Sequence, residues 1–284
     1  MVKSYLMLIA LLIATTLSSC AQSGNGPRLI VRGDDMGFSH SGNEALIKCS
    51  REGIQTSIEV LVPSPWFPEA VRLLEENPDI DVGIHLTLTS EWDNLKWRPV
   101  SASPGLTDED GYLYPFIWPN DNYPGRALLD NQWKIEDIEK EFRAQIELAI
   151  KRIPRISHVS GHMGCTGLNE EVRALTKKLT QEYNIDVDMT GVEGTRFEGP
   201  HDTSAEKKQS FIKMLRGLKA GKTYMFVEHP GINTPELQAI SHIGYESVAV
   251  DRQGVTDIWT DPEVKALVRE LGIELISYAD LRKN

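Results

Sequence analysis

The sequence predicts an α/β fold: one domain built as a single (β/α) barrel, closed or nearly closed, with a long aromatic-rich loop inserted. Two observations carry this. Short apolar runs alternate with longer amphipathic ones through the chain, and strands separated by helices pair in parallel through crossover connections. Roughly seven such units recur, which suits a sheet curled on itself better than an open one. The run GDDMGFS (33–39) lacks the glycine spacing of a nucleotide-binding turn, and the sequence has no phosphate-binding loop motif.

In chain order, RLIV (28–31) is the first strand-like run and SGNEALIKCSREG (41–53) reads as a helix ending at Gly53. TSIEVLV (56–62) reads as a strand. PWFPEAVRLLEENP (65–78) is a helix with prolines early and an Asn-Pro stop. DVGIHLTLT (81–89) alternates as a half-buried strand does, and KIEDIEKEFRAQIELAIKRI (134–153) has helical spacing until Pro154. RISHVSGHMG (155–164) reads as a strand running into a loop, followed by the helix NEEVRALTKKLTQEYN (169–184). IDVDMTG (185–191) and KTYMFVEHPG (222–231) continue the strands; DPEVKALVRELG (261–272) is helical and IELISYADL (273–281) strand-like. Residues 90–133 break the rhythm, being rich in Pro, Gly, Asp and aromatics, with Trp92, Trp97, Trp118 and Trp133 among them. Disordered segments are poor in such residues, so this one is expected to be ordered and packed over a barrel mouth.

The N-terminus is a separate matter. MVKSY is basic, LMLIALLIATTL is apolar, and LSSC closes the segment. The apolar run is too short to span a membrane and fits a secretory signal. Leu17-Ser18-Ser19-Cys20 resembles a bacterial lipobox, whose cysteine takes a diacylglycerol. The chain therefore divides into a signal peptide (1–19), a lipidated tether (20–27) and one large domain (28–284). The expectation is an exported bacterial lipoprotein, anchored through Cys20 on the periplasmic side or at the cell surface. A net charge of −11 argues against nucleic acid or anionic lipid as the target. Besides Cys20 only Cys49 and Cys165 remain, too few for a disulfide framework.

Strand-like runs carry polar groups at or near their ends. Asp34 and Asp35 follow RLIVRG, His85 lies in DVGIHLTLT, His158 and His162 in RISHVSGHMG, and Glu228 and His229 end YMFVEH. Adjacent carboxylates resist joint ionisation unless a proton or cation sits by them. In a parallel barrel these groups would converge on one rim, and a carboxylate with two imidazoles is a common ligand set for a divalent ion. A strand histidine is as readily a buried structural residue, so the spacing leaves both readings open. His40, His201 and His242 sit in polar loop sequence and receive no role.

RGDDMGFS, GIHLTLTSEW, SHVSGHMG, EHPG and ISYADL, in that order, resemble the motifs of the YdjC-like carbohydrate deacetylase family, which includes chitooligosaccharide deacetylases. The resemblance runs from Arg28 to Leu281. It implies a TIM-barrel-like fold, a bound divalent cation (Mg or Zn) and removal of acetyl groups from N-acetylated sugars. It also implies Asp34 as general base, Asp35, His85 and His162 as metal ligands, His158 in support, and His229 as acid or polar stabiliser. The family reads Asp-Ser-His where this chain has Ser160-Gly161-His162, which puts a carboxylate that orients an imidazole in question.

On this reading Gly33 and Gly37 provide the bend that brings both aspartates to one site, since consecutive strand residues face opposite ways. Trp92, Trp97 and Trp118 are candidates for stacking on a sugar ring. Two other functions remain open: a surface glycan-binding lipoprotein that has lost catalysis, and a metal hydrolase of another ester, amide or phosphate. Against phosphate, the sequence shows no cluster of Arg or Lys beside the ligands; Arg32 is the nearest and reads as structural. The implied partners are an N-acetylated sugar and the membrane, with a homodimer left open.

Overall fold

The structure is a computed structural model that describes residues 26–282. The signal peptide, the lipobox and Cys20 lie outside the described residues. In chain order the elements are β1 (Arg28–Met36), α1 (His40–Glu52), β2 (Ser57–Val60), α2 (Phe67–Glu75), β3 (Asp81–Leu86), α3 (Ile135–Arg152), β4 (His158–Gly161), α4 (Glu170–Glu182), β5 (Val192–Thr195), α5 (Ser204–Gly217), β6 (Thr223–Glu228), α6 (Pro235–Gln238), α7 (Val248–Thr260), α8 (Pro262–Glu270) and β7 (Glu274–Leu275). Side-chain caps set several helix starts: Ser39 accepts from the Gly42 amide, Asn169 from Val172, and Thr203 and Glu206 form a reciprocal box at α5.

The strands form one parallel sheet in the order β4-β3-β2-β1-β6-β5, with β7 on the start of β1. Among the described residues β4 and β5 do not pair, so the barrel-like sheet is open at that seam. Two expected strands differ. IDVDMTG (185–191) is irregular, because pairing with β6 starts only at Val192 opposite Thr223. The last strand stops at Leu275, because β2 occupies that edge of β1 from Arg32 onward; Ala279–Leu281 is a 3-10 turn. Helices α5 and α7 were not foreseen.

Strand alternation explains where the core sits. Ile58, Val60, Val82, Ile84 and Leu86 face outward, are fully buried and pack in one cluster with residues of α1, α2 and α3. Leu29 and Val31 do the same in a second cluster containing Phe211, Trp259 and Val264. The opposite face is polar beyond an apolar patch of Ile30, Met225, Ile276 and Tyr278 at the start of β1. Register aligns Arg32, Ser57 and Asp81 in one row, Glu59, Gly83 and His158 in the next, and His85 with Ser160 beyond them. Barrel interiors are usually layered with branched apolar side chains; here charged and hydroxyl groups fill those positions.

Residues 87–134 contain two short 3-10 turns, Pro104–Leu106 and Leu128–Asp130. Trp92, Trp97, Leu113, Ile117 and Leu128 are buried in the main core cluster. Buried Glu141 of α3 clamps the segment, accepting from the amides of Val100 and Ser101 at 2.9 and 2.8 Å.

Candidate metal centre and active site

Parallel pairing brings the strand ends to one rim. Asp34 and Asp35 come from β1, His85 from β3, His162 from just beyond β4, and His229 from just beyond β6. They line a cavity of about 340 Å³ together with Arg252 of α7. The bend that aims both aspartates inward lies at Asp35 itself, whose φ is +72°, beside a register shift against β2 between Gly33 and Met36. Gly33 holds its place in the ladder, so the expectation of a bend there is corrected; Gly37, with φ +110°, completes the turn. Aspartate tolerates left-handed backbone better than most residues, and such strain gathers at functional sites.

Asp35, His85 and His162 each offer an atom within 4.8 Å of the others. Asp35 Oδ1 is buried and receives no hydrogen bond; His162 Nδ1 lies 3.1 Å from it and His85 Nε2 3.6 Å. Its other oxygen accepts from Arg252 Nη2 at 2.9 Å. Asp34 is gripped by both ends of Arg32, Nε to Oδ1 at 2.7 Å and Nη2 to Oδ2 at 2.8 Å, and Oδ2 stands 3.6 Å from His85 Nε2. His229 Nε2 is 3.8 Å from Asp35 Oδ2, with its side chain 37% exposed to the cavity mouth.

Burial and neighbouring charges set the protonation of these groups in opposite directions. Burial pushes the His85 pKa down to about 4, so the ring is neutral and has a lone pair to give. Burial alone would raise the Asp35 pKa, but His162, His229 and Arg252 outweigh it and keep the group ionised well below the usual range. For His162 burial opposes charge, yet Glu91 and Asp35 dominate and raise its pKa well above the ordinary value. His229 is raised by Asp35 and Glu228 against its own desolvation. An unbonded carboxylate oxygen facing two imidazoles fits a divalent ion.

A testable consequence follows from His162. Without a cation Glu91 and Asp35 favour the protonated ring, which sheds its proton only as pH rises. Metal ligation needs the neutral ring, while Glu91 Oε2, 3.1 Å from Nε2, can retain the other N–H. Metal affinity is therefore expected to climb as pH rises, with proton release on binding. Calorimetry in buffers of different ionisation enthalpy measures this; heats independent of buffer and an affinity flat with pH would contradict it.

Other expected residues fall as follows. His158 lies deeper, outside the cavity lining, bound to Glu59. Trp92 lines the cavity, whereas Trp97 is buried with its indole N–H donating to the Thr89 carbonyl at 2.9 Å, which removes it as a stacking platform. Trp118 is 51% exposed in an adjoining hollow that shares Met163 with the cavity. Sequence reasoning missed Glu91, Tyr245, Arg252 and also His242, which lines the cavity. The expectation of no arginine beside the candidate ligands is corrected: Arg252 arrives from 217 residues away, its guanidinium carbon over the rings of Phe38 and Trp92 at 4.5 and 5.4 Å. Cys49 and Cys165 are both buried and free.

The family model for YdjC-like proteins matches residues 28–270. The chain belongs to the YdjC-like family. Among its relatives, carbohydrate deacetylase 2 of Listeria innocua is 26% identical over 268 residues, covering 90% of this chain and 99% of the relative. The carbohydrate deacetylase of Clostridium beijerinckii is 28% identical, covering 89% of this chain and all of the relative. A crystal structure of an Enterococcus faecalis protein thought to cleave cellobiose phosphate superposes with a TM-score of 0.71 at 22% identity, over 92% of this chain and 100% of that one. That likeness establishes the shared fold.

Proposed function

We propose that this YdjC-like chain is a metal-dependent carbohydrate deacetylase that hydrolyses the acetamide of an N-acetylated sugar. The observation that carries the reading is the meeting of Asp35, His85 and His162 in one cavity with Asp34 and His229. A divalent cation held by those three residues, Mg or Zn, supplies positive charge for the carbonyl oxygen and makes water more acidic.

The chain's own groups account for the proton movements. Arg32 fixes the Asp34 carboxylate through two hydrogen bonds, and each oxygen keeps a lone pair to accept a proton from the attacking water. Attack on the acetamide carbon gives a tetrahedral oxyanion. His229, whose pKa Asp35 and Glu228 raise against its desolvation, donates a proton to the nitrogen as the C–N bond breaks, leaving acetate and a free amine. Trp92, buried in the cavity wall, limits its width, and Trp118 offers an exposed ring for a neighbouring sugar. We read residues 1–27 as the signal and tether of an exported lipoprotein held by a lipid on Cys20.

The test is acetate release from a panel of N-acetylated oligosaccharides, with metal-stripped and metal-restored protein. Release that vanishes on chelation and returns with the ion is expected. Glycan binding without acetate, or phosphate release from sugar phosphates instead, would replace this reading.

A further inference from the structure

Behind His85 runs a chain of buried hydrogen bonds that the reaction scheme leaves unused. His85 Nδ1 lies 2.7 Å from Ser160 Oγ, and Ser160 in turn bonds Glu59 Oε2. The second oxygen of Glu59 meets His158 Nε2 at 2.5 Å. His158 Nδ1 continues to Ser157 Oγ at 2.6 Å, and Ser157 to Asp81 Oδ1 at 2.6 Å. All these residues except Asp81 are buried, Glu59 completely.

Proton counting fixes the direction. Burial works against ionisation of Glu59, but His158 and Arg32 outweigh it and bring its pKa to about 2, so it only accepts. Ser160 has one O–H, which must go to Glu59, and its oxygen then accepts from His85 Nδ1–H. The proton of the neutral imidazole is thereby kept on Nδ1, and Nε2 presents its lone pair toward Asp34 and Asp35, 3.6 Å from each. The sheet makes room for this. Gly83 sits between Glu59 and His158 in register, and a Cβ there would strike both His158 Nε2 and Glu59 Oε2.

We infer that Glu59, acting through the Ser160 hydroxyl, is the positioning residue that sets the tautomer of His85 and so its capacity to bind a cation. The site thus uses a two-residue relay where a direct carboxylate on the imidazole would serve. Glu59 touches no substrate. The inference rests on the reading of His85 as a ligand, but its first test needs neither metal nor substrate.

Glu59→Gln is the informative variant. A Gln amide can donate to Ser160, which turns the hydroxyl proton onto His85 Nδ1 and moves the ring proton to Nε2. In metal-free protein, nitrogen-15 imidazole shifts are expected to show Nδ1–H for His85 in the wild type and Nε2–H in E59Q. Zinc and magnesium affinities measured by calorimetry should fall by roughly 10- to 100-fold in E59Q. Adding Ser160→Asp, which places a carboxylate directly on Nδ1, should restore both the tautomer and most of the affinity. Thermal melts of each variant verify that it is folded. An unchanged His85 tautomer with unchanged metal affinity in folded E59Q would overturn the inference, as would failure of the folded double variant to recover either property. Absence of metal binding in the wild type would instead sink the functional reading, with the tautomer result still deciding the relay.

Discussion

Asp34→Asn is expected to lower kcat on N-acetylated oligosaccharides by at least roughly 10²- to 10⁴-fold, the range general-base groups contribute, while metal affinity stays near the wild-type value. The amide keeps the shape of the carboxylate but cannot take a proton from water. It also loses one of the two Arg32 bonds, since its nitrogen faces a guanidinium N–H at 2.7 or 2.8 Å. That contact serves placement, so KM should change less than kcat. Steady-state kinetics paired with calorimetric metal titration reads both. Turnover within a few-fold of wild type would remove Asp34 from the base role and leave the cavity without an obvious substitute.

Asp35→Ala carries the second large effect, on metal and on stability together. The carboxylate is 1% exposed and accepts a 2.9 Å hydrogen bond from a guanidinium that is itself 3% exposed. Arg252 Nε and Nη1 already lack hydrogen bonds, so deleting Asp35 leaves a buried cation with aromatic faces for company. Breaking a buried pair from one side costs about 3–5 kcal/mol. In chelator, D35A is expected to unfold at clearly lower urea concentration than wild type, and Asp35→Asn, which keeps an oxygen for Arg252, at an intermediate one. Neither should bind zinc at wild-type affinity. A D35A protein as stable as wild type would mean that Arg252 finds another acceptor; metal bound normally by either variant would remove Asp35 from the ligand set.

The residues of the proposed metal site were legible because each lies at or near a strand end beside turn residues, where alternation of apolar residues stops on a charged or imidazole side chain. Parallel topology then forces convergence. What stayed hidden has physical causes. Arg252 lies on α7, a helix whose sequence VAVDRQGVTDIWT has no clear apolar stripe because much of its surface is buried, Arg252 and Thr256 included. Glu91 is in a segment without regular structure, where no period indicates direction. The twist at Asp35 depends on one backbone angle that composition does not report. Glu59 did leave a trace: an acid between Ile58 and Val60 in a fully buried strand needs a partner on the inner face. The same alternation that sent Ile58 and Val60 outward could have directed attention to it. The extent of the final strand could not be read locally, because it is limited by competition with β2 for one edge of β1.

The most direct measurement is an anomalous difference map from crystals of zinc-loaded protein, collected at the metal edge. The account predicts one strong buried peak within bonding distance of Asp35, His85 and His162, with Asp34 beside it and outside the bonds. Saturating zinc that leaves this position empty, or a peak held by other side chains while acetate release still depends on the metal, would contradict it.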